Sequence, residues 1–202
     1  MTVKLYRFVP KDRSGRVAWL LHEMEVAFEV VEVNAREGEH LEDEFLSISP
    51  GGTIPAVVDG EDVLFESGAA LQHLADRYGE GEFAPLAGEP GRATYLSWLY
   101  FASASLDALC FAFVNPLLSE EFRASRVEYA LRRVPRMLDA VERQFVDRQY
   151  LLSRGFTAVD IQLAGALDYA DASGCLEGRE ELKRYLEAMR QRSSARAVEA
   201  FQ

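Results

Sequence analysis

Cysteine is scarce in this chain: among 202 residues there are only Cys110 and Cys175. Two thiols supply neither a disulfide framework nor a cysteine cluster for a metal. Apolar runs are short, and none approaches the roughly 20 residues that span a bilayer. The opening Met1-Thr2-Val3-Lys4-Leu5-Tyr6 is too brief and too mixed for a signal peptide. Positive charge is also short, with 22 Lys and Arg against 33 Asp and Glu and a net charge of −11. Without clustered cations, phosphate binding and hence nucleic acid is disfavoured. Internal repeats and low-complexity tracts are missing. These shortages point to a soluble, reducing, cytoplasmic setting with no membrane, nucleic-acid or metal partner.

What is present is ample core material, 49% hydrophobic against an ordinary 27% charged, which argues against disorder. The charge is uneven. Residues 1–80 hold 7 Lys and Arg against 16 Asp and Glu, so an anionic ligand there needs a local positive island. Lys11, Arg13 and Arg16 form one.

Periodicity divides the chain in two. Val3–Phe8 is short and β-rich, and from Ser14 the residues Val17, Leu20, Leu21 and Met24 fall at helical spacing. Val26–Val33 reads as a second strand, and Leu41, Phe45 and Ile48 as a short helix. Ala56–Val58 and Val63–Phe65 flank Asp59-Gly60-Glu61-Asp62, a hairpin signature. Ser67 opens a helix through Leu71, Leu74 and Tyr78, stopped by Gly79. The order β-α-β-α-β-β-α predicts a thioredoxin-like α/β domain over 1–79. Gly79, Gly81, Pro85, Gly88, Pro90 and Gly91 mark a linker at 80–91. An all-α domain is expected over 92–202. Its helices are Arg92–Leu118, ending near Asn115-Pro116, then Glu120–Tyr150, kinked or divided at Pro135. Thr157–Ser173 and Glu177–Arg192 follow, with a last turn or two at Ser194–Phe201.

Two motifs carry chemistry. In Gly51-Gly52-Thr53-Ile54-Pro55-Ala56 a polar loop enters a strand. A cis proline there would leave the N–H and C=O of Ile54 open to a peptide backbone; an ordinary trans proline in a turn is the alternative. In Phe65-Glu66-Ser67-Gly68, Ser67 suits a helix N-cap. The helix dipole makes a carboxylate seat, and Glu66 can hold an ammonium. Together they suit an α-amino-acid head group; a plain cap beside an exposed Glu is the other reading. In the second half, Phe156-Thr157-Ala158-Val159-Asp160-Ile161 combines a capping box at Thr157 and Asp160 with a hydrophobic staple.

Thr53-Ile54-Pro55, then a hairpin, then Glu66-Ser67 opening a helix closely resembles the glutathione site of the cytosolic glutathione transferase family. The capping box lies where family members carry a similar one, and the likeness is of bacterial type. The resemblance implies a βαβαββα thioredoxin-like domain followed by the family's all-helical domain. It implies glutathione as co-substrate and no metal. Ile54 would pair its backbone with the cysteinyl unit beside cis Pro55, and Glu66 and Ser67 would take the γ-glutamyl amine and carboxylate. His40 and Thr53 would meet the glycyl end. A two-fold homodimer is a further implication.

The family activates the thiol with Tyr, Ser or Cys near the end of the first strand. Here that segment reads Tyr6-Arg7-Phe8-Val9-Pro10-Lys11-Asp12-Arg13-Ser14-Gly15-Arg16-Val17. Aligned on Arg16-Val17, Lys11 stands at the serine position and Arg13 at the cysteine position. Candidate catalytic residues are therefore Lys11, Arg13 and Ser14. Cations with the helix dipole, or a hydroxyl, can activate the thiol, or nothing does. Ser14 also reads as the N-cap of the first helix. Tyr100, Ser103, Ala104, Asp107 and Phe111 recur at threes and fours and are expected to serve a small apolar second substrate. The expected function is conjugation of glutathione to an apolar electrophile. The alternatives are glutathione-dependent reduction of a disulfide or peroxide, and a non-catalytic interaction module.

Overall fold

The computed structural model describes residues 2–114 and 119–201. They fall into two compact units, residues 1–86 with 191–202, and residues 87–190. The division differs from the sequence expectation at the end of the chain. Residues 191–202 pack on the first unit, where Arg192 pairs with Glu23 at 2.7 Å and Phe201 meets Trp19 at 5.3 Å.

In the first unit, β1 (Val3–Arg7) leads into α1 (Arg13–Glu23) and β2 (Phe28–Glu32). A 3-10 turn at Glu39–Leu41 and α2 (Asp43–Leu46) follow, where one short helix was expected. Then come β3 (Ala56–Asp59), β4 (Asp62–Phe65) and α3 (Ser67–Tyr78). The sheet order is β2-β1-β3-β4, with β2 parallel to β1 and the other pairs antiparallel. This is the thioredoxin-like arrangement.

Alternation along the strands explains the layers. Leu5 pairs with Val57, both fully buried, as are Val17, Leu20 and Leu21 of α1 and Leu71 and Leu74 of α3. On the opposite face Tyr6, Val33, Ala56 and Ile54 pack with Phe45 of α2. The Tyr6 and Phe45 rings meet edge-on at 6.0 Å. Buried Asp59 ties the hairpin to the far end of α3. It accepts from Tyr78 Oη at 2.6 Å and contacts His73 Nε2 at 3.1 Å and Arg77 Nε at 3.4 Å.

In the second unit, Arg92–Val114 is a continuous helical run. It comprises α4 (Arg92–Tyr100), a π-helical segment (Phe101–Asp107) and α5 (Ala108–Val114). The run is long and apolar enough to cross a membrane by length and composition. It nevertheless packs against α7 (Ala158–Ala172) along all three parts, as the core helix of a helical unit does. The end expected near Asn115-Pro116 lies outside the described residues. α6 (Glu120–Glu142) passes through Pro135 undivided. The carbonyl that Pro135 leaves without its N–H partner belongs to Leu131, an exposed residue of α6. Arg179 fastens this stretch by donating to Pro135 O at 3.1 Å, Asp139 at 2.7 Å and Glu142 at 3.0 Å.

α8 (Glu180–Arg190) completes this unit, and α9 (Ser193–Ala197) belongs to the first. At the start of α7 the capping box forms as expected. The Asp160 carboxylate accepts from the N–H groups of Thr157 and Leu151, each at 2.9 Å, and from Tyr185 Oη at 3.0 Å.

Candidate functional site

Strand register gathers the candidate residues of the first unit at one margin of the sheet. Ala56 pairs with Tyr6 on one side and Phe65 on the other. One step outward, Arg7, Pro55 and Glu66 therefore stand side by side. The loop into α1 and the first turn of α3 follow immediately.

The Ile54–Pro55 peptide bond is cis. Pro55 is buried and Ile54 half-buried, and no described residue hydrogen-bonds the Ile54 N–H or C=O. Such an open pair can dock an extended peptide as an added strand. The loop before it is held by Ser49, a fully buried residue the sequence reading missed. Its hydroxyl donates to Thr53 O at 2.9 Å and accepts from Thr53 N–H at 3.2 Å. A serine ahead of Pro50 carries no sequence signal for that role. Thr53 itself is exposed. His40 is half-buried in the 3-10 turn, and its carbonyl oxygen lies 2.9 Å from where a Cβ on Gly52 would stand. That contact brings His40 against the same loop, and its Nδ1 has no hydrogen-bond partner among the described residues.

Glu66 and Ser67 differ from expectation in role. Ser67 is the first residue of α3 and Glu66 takes the cap position, with no side-chain hydrogen bond closing the helix end. The reason is the backbone at Glu66, where φ 72° and ψ 117° turn the chain sharply off β4. The first-turn N–H groups of α3 are thus left open, with the buried Ser67 hydroxyl beside them and an exposed carboxylate at Glu66. An uncapped helix start favours an anion, and the carboxylate next to it favours a cation. The pair suits a zwitterionic amino-acid head.

Ser14 is not the N-cap of α1. Asp12 is, and its carboxylate accepts from Ser14 N–H at 2.5 Å, Val9 N–H at 3.0 Å and Phe8 N–H at 3.2 Å. An Asp just ahead of a helical period is a cap signal, and the sequence reading passed over it. Ser14 is fully buried, and its hydroxyl points back to Val9 O at 3.5 Å. An anion already occupies the start of α1, so the helix dipole has less left for a thiolate than the sequence suggested. Arg13 is half-buried, whereas Lys11 is exposed at the tip of the loop.

Exposure is mixed along the stripe in the second unit. Tyr100 and Ala104 are exposed and Ser103 and Phe111 half-buried, while Asp107 is buried at 2% exposure. Phe101–Asp107 is π-helical, so the α-helical spacing assumed for the stripe does not hold through it. Phe111 packs on Tyr169 at 5.4 Å. Among the described residues no group of three or more His, Cys, Asp or Glu is placed to hold a metal.

Fold and site define a thioredoxin-like unit with an open cis-proline loop beside an uncapped helix, in a chain with a helical second unit. Residues 1–76 match the glutathione S-transferase N-terminal domain, and residues 101–193 match its C-terminal domain. Glutathione S-transferase 3 of Zea mays is 33% identical over 196 residues, covering 93% of this chain and 88% of the maize protein. This chain belongs to the glutathione S-transferase family. A glutathione transferase structure from Methylococcus capsulatus is 28% identical, with a TM-score of 0.84 over 98% of this chain and 97% of that one. A Pseudomonas putida glutathione transferase, solved with one glutathione disulfide bound per subunit, shares the fold. It is 24% identical, with a TM-score of 0.82 over 98% of this chain and 90% of that one. These likenesses reach plant and bacterial proteins alike and single out no bacterial type.

Proposed function

We propose that this chain binds glutathione at the sheet margin and transfers its thiolate to an apolar electrophile. One observation carries the reading: the open Ile54 backbone beside cis Pro55 adjoins the uncapped start of α3. In the bound tripeptide the cysteinyl unit pairs with Ile54. The γ-glutamyl carboxylate lies on the N–H groups and hydroxyl at Ser67, and its amine on Glu66. His40 and Thr53 meet the glycyl end. The family's naming as transferases and the glutathione disulfide in the Pseudomonas putida relative support this reading.

Of the three candidate activators, Lys11 is assigned the thiolate: Ser14 is buried with its hydroxyl turned inward, and Arg13 is half-buried in the first turn of α1 and already engaged, whereas Lys11 is exposed. A cation beside sulfur lowers the thiol pKa, and the proton leaves to solvent. With an aryl halide, the C–S bond forms as the C–halogen bond breaks and halide departs. Tyr100, Ser103 and Ala104 are assigned to the second substrate. The setting is cytoplasmic, in keeping with two free cysteines. The assembly is a homodimer, for which the exposed Val63 and Phe65 of β4 supply apolar surface. Phe65→Glu is then expected to halve the mass in sedimentation.

Calorimetry with glutathione tests the core of the proposal. Ser67→Ala removes a hydrogen bond to a charged group, about 1.5–3 kcal/mol, and so is expected to weaken binding about 10- to 160-fold. Absence of glutathione binding by the wild-type chain would sink the reading. Binding without aryl halide conjugation would redirect it to disulfide or peroxide reduction.

A further inference from the structure

Gly15, in the first turn of α1, is pinched between two stretches of backbone. A Cβ built on it would lie 2.1 Å from the Pro10 carbonyl oxygen and 3.2 Å from Ala200 Cα. Pro10 begins the loop that carries Lys11, and Ala200 belongs to the stretch after α9. That stretch grips α1 at two further points. The Arg192 guanidinium meets the Glu23 carboxylate at 2.7 and 2.9 Å, and Glu23 Oε1 also accepts from Trp19 Nε1 at 2.8 Å. The Phe201 ring stands edge-on to Trp19, whose side chain is fully buried.

We infer that residues 192–201 brace the thiol-activating loop, with Gly15 as the positioning residue through which the Ala200–Gly15–Pro10 stack fixes where Lys11 stands. This inference rests on the glutathione reading above. The partners on both sides of Gly15 are main-chain atoms, so no side chain can rotate away to make room. On one side the Ala200 backbone blocks retreat of α1, because moving it also strains the Arg192–Glu23 and Phe201–Trp19 contacts. Any added volume at residue 15 therefore displaces Pro10, and Lys11 with it. The attraction between an ammonium and a thiolate falls with distance and with added solvent, so displacement lowers thiolate formation. The Ile54 loop and the Glu66-Ser67 corner, which hold the rest of the tripeptide, contain no atom of this stack.

The test separates binding from activation. Glutathione affinity is measured by calorimetry, and the apparent thiol pKa of the bound tripeptide from thiolate absorbance against pH, beside kcat and KM. Four proteins are compared: wild type, Gly15→Ala, Phe201→Ala and Phe201→Leu. Gly15→Ala is expected to keep glutathione affinity but raise the apparent thiol pKa by about one unit, a roughly tenfold loss of thiolate and of kcat at neutral pH. Phe201→Ala adds no atoms near Lys11 and is expected to shift the profile the same way by less. Hydrogen exchange over residues 192–201 should rise in that variant, and Phe201→Leu should restore most of the profile. Should Gly15→Ala fail to fold, Phe201→Ala decides. An unchanged thiol pKa in a folded Gly15→Ala, or in a Phe201→Ala whose 192–201 stretch exchanges faster, overturns the brace alone. A wild-type chain that binds no glutathione overturns both readings.

Discussion

Glu66 is held at φ 72° and ψ 117°, a backbone conformation that costs a non-glycine residue on the order of 1–3 kcal/mol. Glycine tolerates it freely but loses about 0.5–1 kcal/mol of unfolded-state entropy relative to alanine. Glu66→Gly is therefore expected to raise the melting temperature while weakening glutathione binding, opposite signs that melting and calorimetry can read on one variant. Asp160 is the residue on which the second unit turns. Burial pushes its carboxyl above the ordinary range, against the pull of Leu151, Thr157 and Tyr185 as donors. The native state thus holds that proton more tightly than the unfolded chain does. Its contribution is fullest below the unfolded value and declines as pH rises through the folded one. Asp160→Ala would orphan the buried N–H groups of Leu151 and Thr157 at about 1–3 kcal/mol each. Tyr185 Oη keeps the Asp160 carbonyl at 3.3 Å, so a loss of at least about 2 kcal/mol is expected in denaturant unfolding.

At the scale of elements, α1 is secured from both ends. Asp12 gathers the loop at its start, and Glu23 near its end holds Arg192. Burial disfavours the Glu23 charge, but hydrogen bonds from Arg192 and Trp19 outweigh it and hold the carboxyl below its ordinary value. A depressed carboxylate stabilises the fold above its unfolded pKa, and the contribution fades as pH falls through the folded one. Glu23→Gln should therefore melt earlier than wild type at neutral pH. The gap should start to narrow as pH falls through about 4.3, where the unfolded carboxyl takes its proton, and close only below the lower folded value, where Glu23 is as uncharged as glutamine. Asp59 likewise ties the hairpin to the far end of α3 through Tyr78, His73 and Arg77.

For the whole molecule, ligand binding and stability are linked. A ligand that binds only the folded chain at 100 times its Kd adds about 2.7 kcal/mol. Saturating glutathione is expected to raise the wild-type melting temperature, with a smaller rise for Ser67→Ala. A flat response in the wild type would contradict the proposed function.

The strand and helix order and the Asp160 box were legible in the sequence. Each is a local pattern, set by side-chain alternation, turn chemistry or spacing along a few residues. The sequence leaves Pro55 open between cis and trans, and it marks the Glu66-Ser67 corner as a helix start but not which residue caps it. Tertiary structure alone decided how residues 191–202 return to the first unit and why residue 15 is glycine. Those outcomes depend on atoms brought together from distant positions, as Ala200 is against Gly15, and no period or motif records such an approach. The π-helical turn in Arg92–Val114 belongs with them, since a helical spacing in sequence does not reveal where the helix widens.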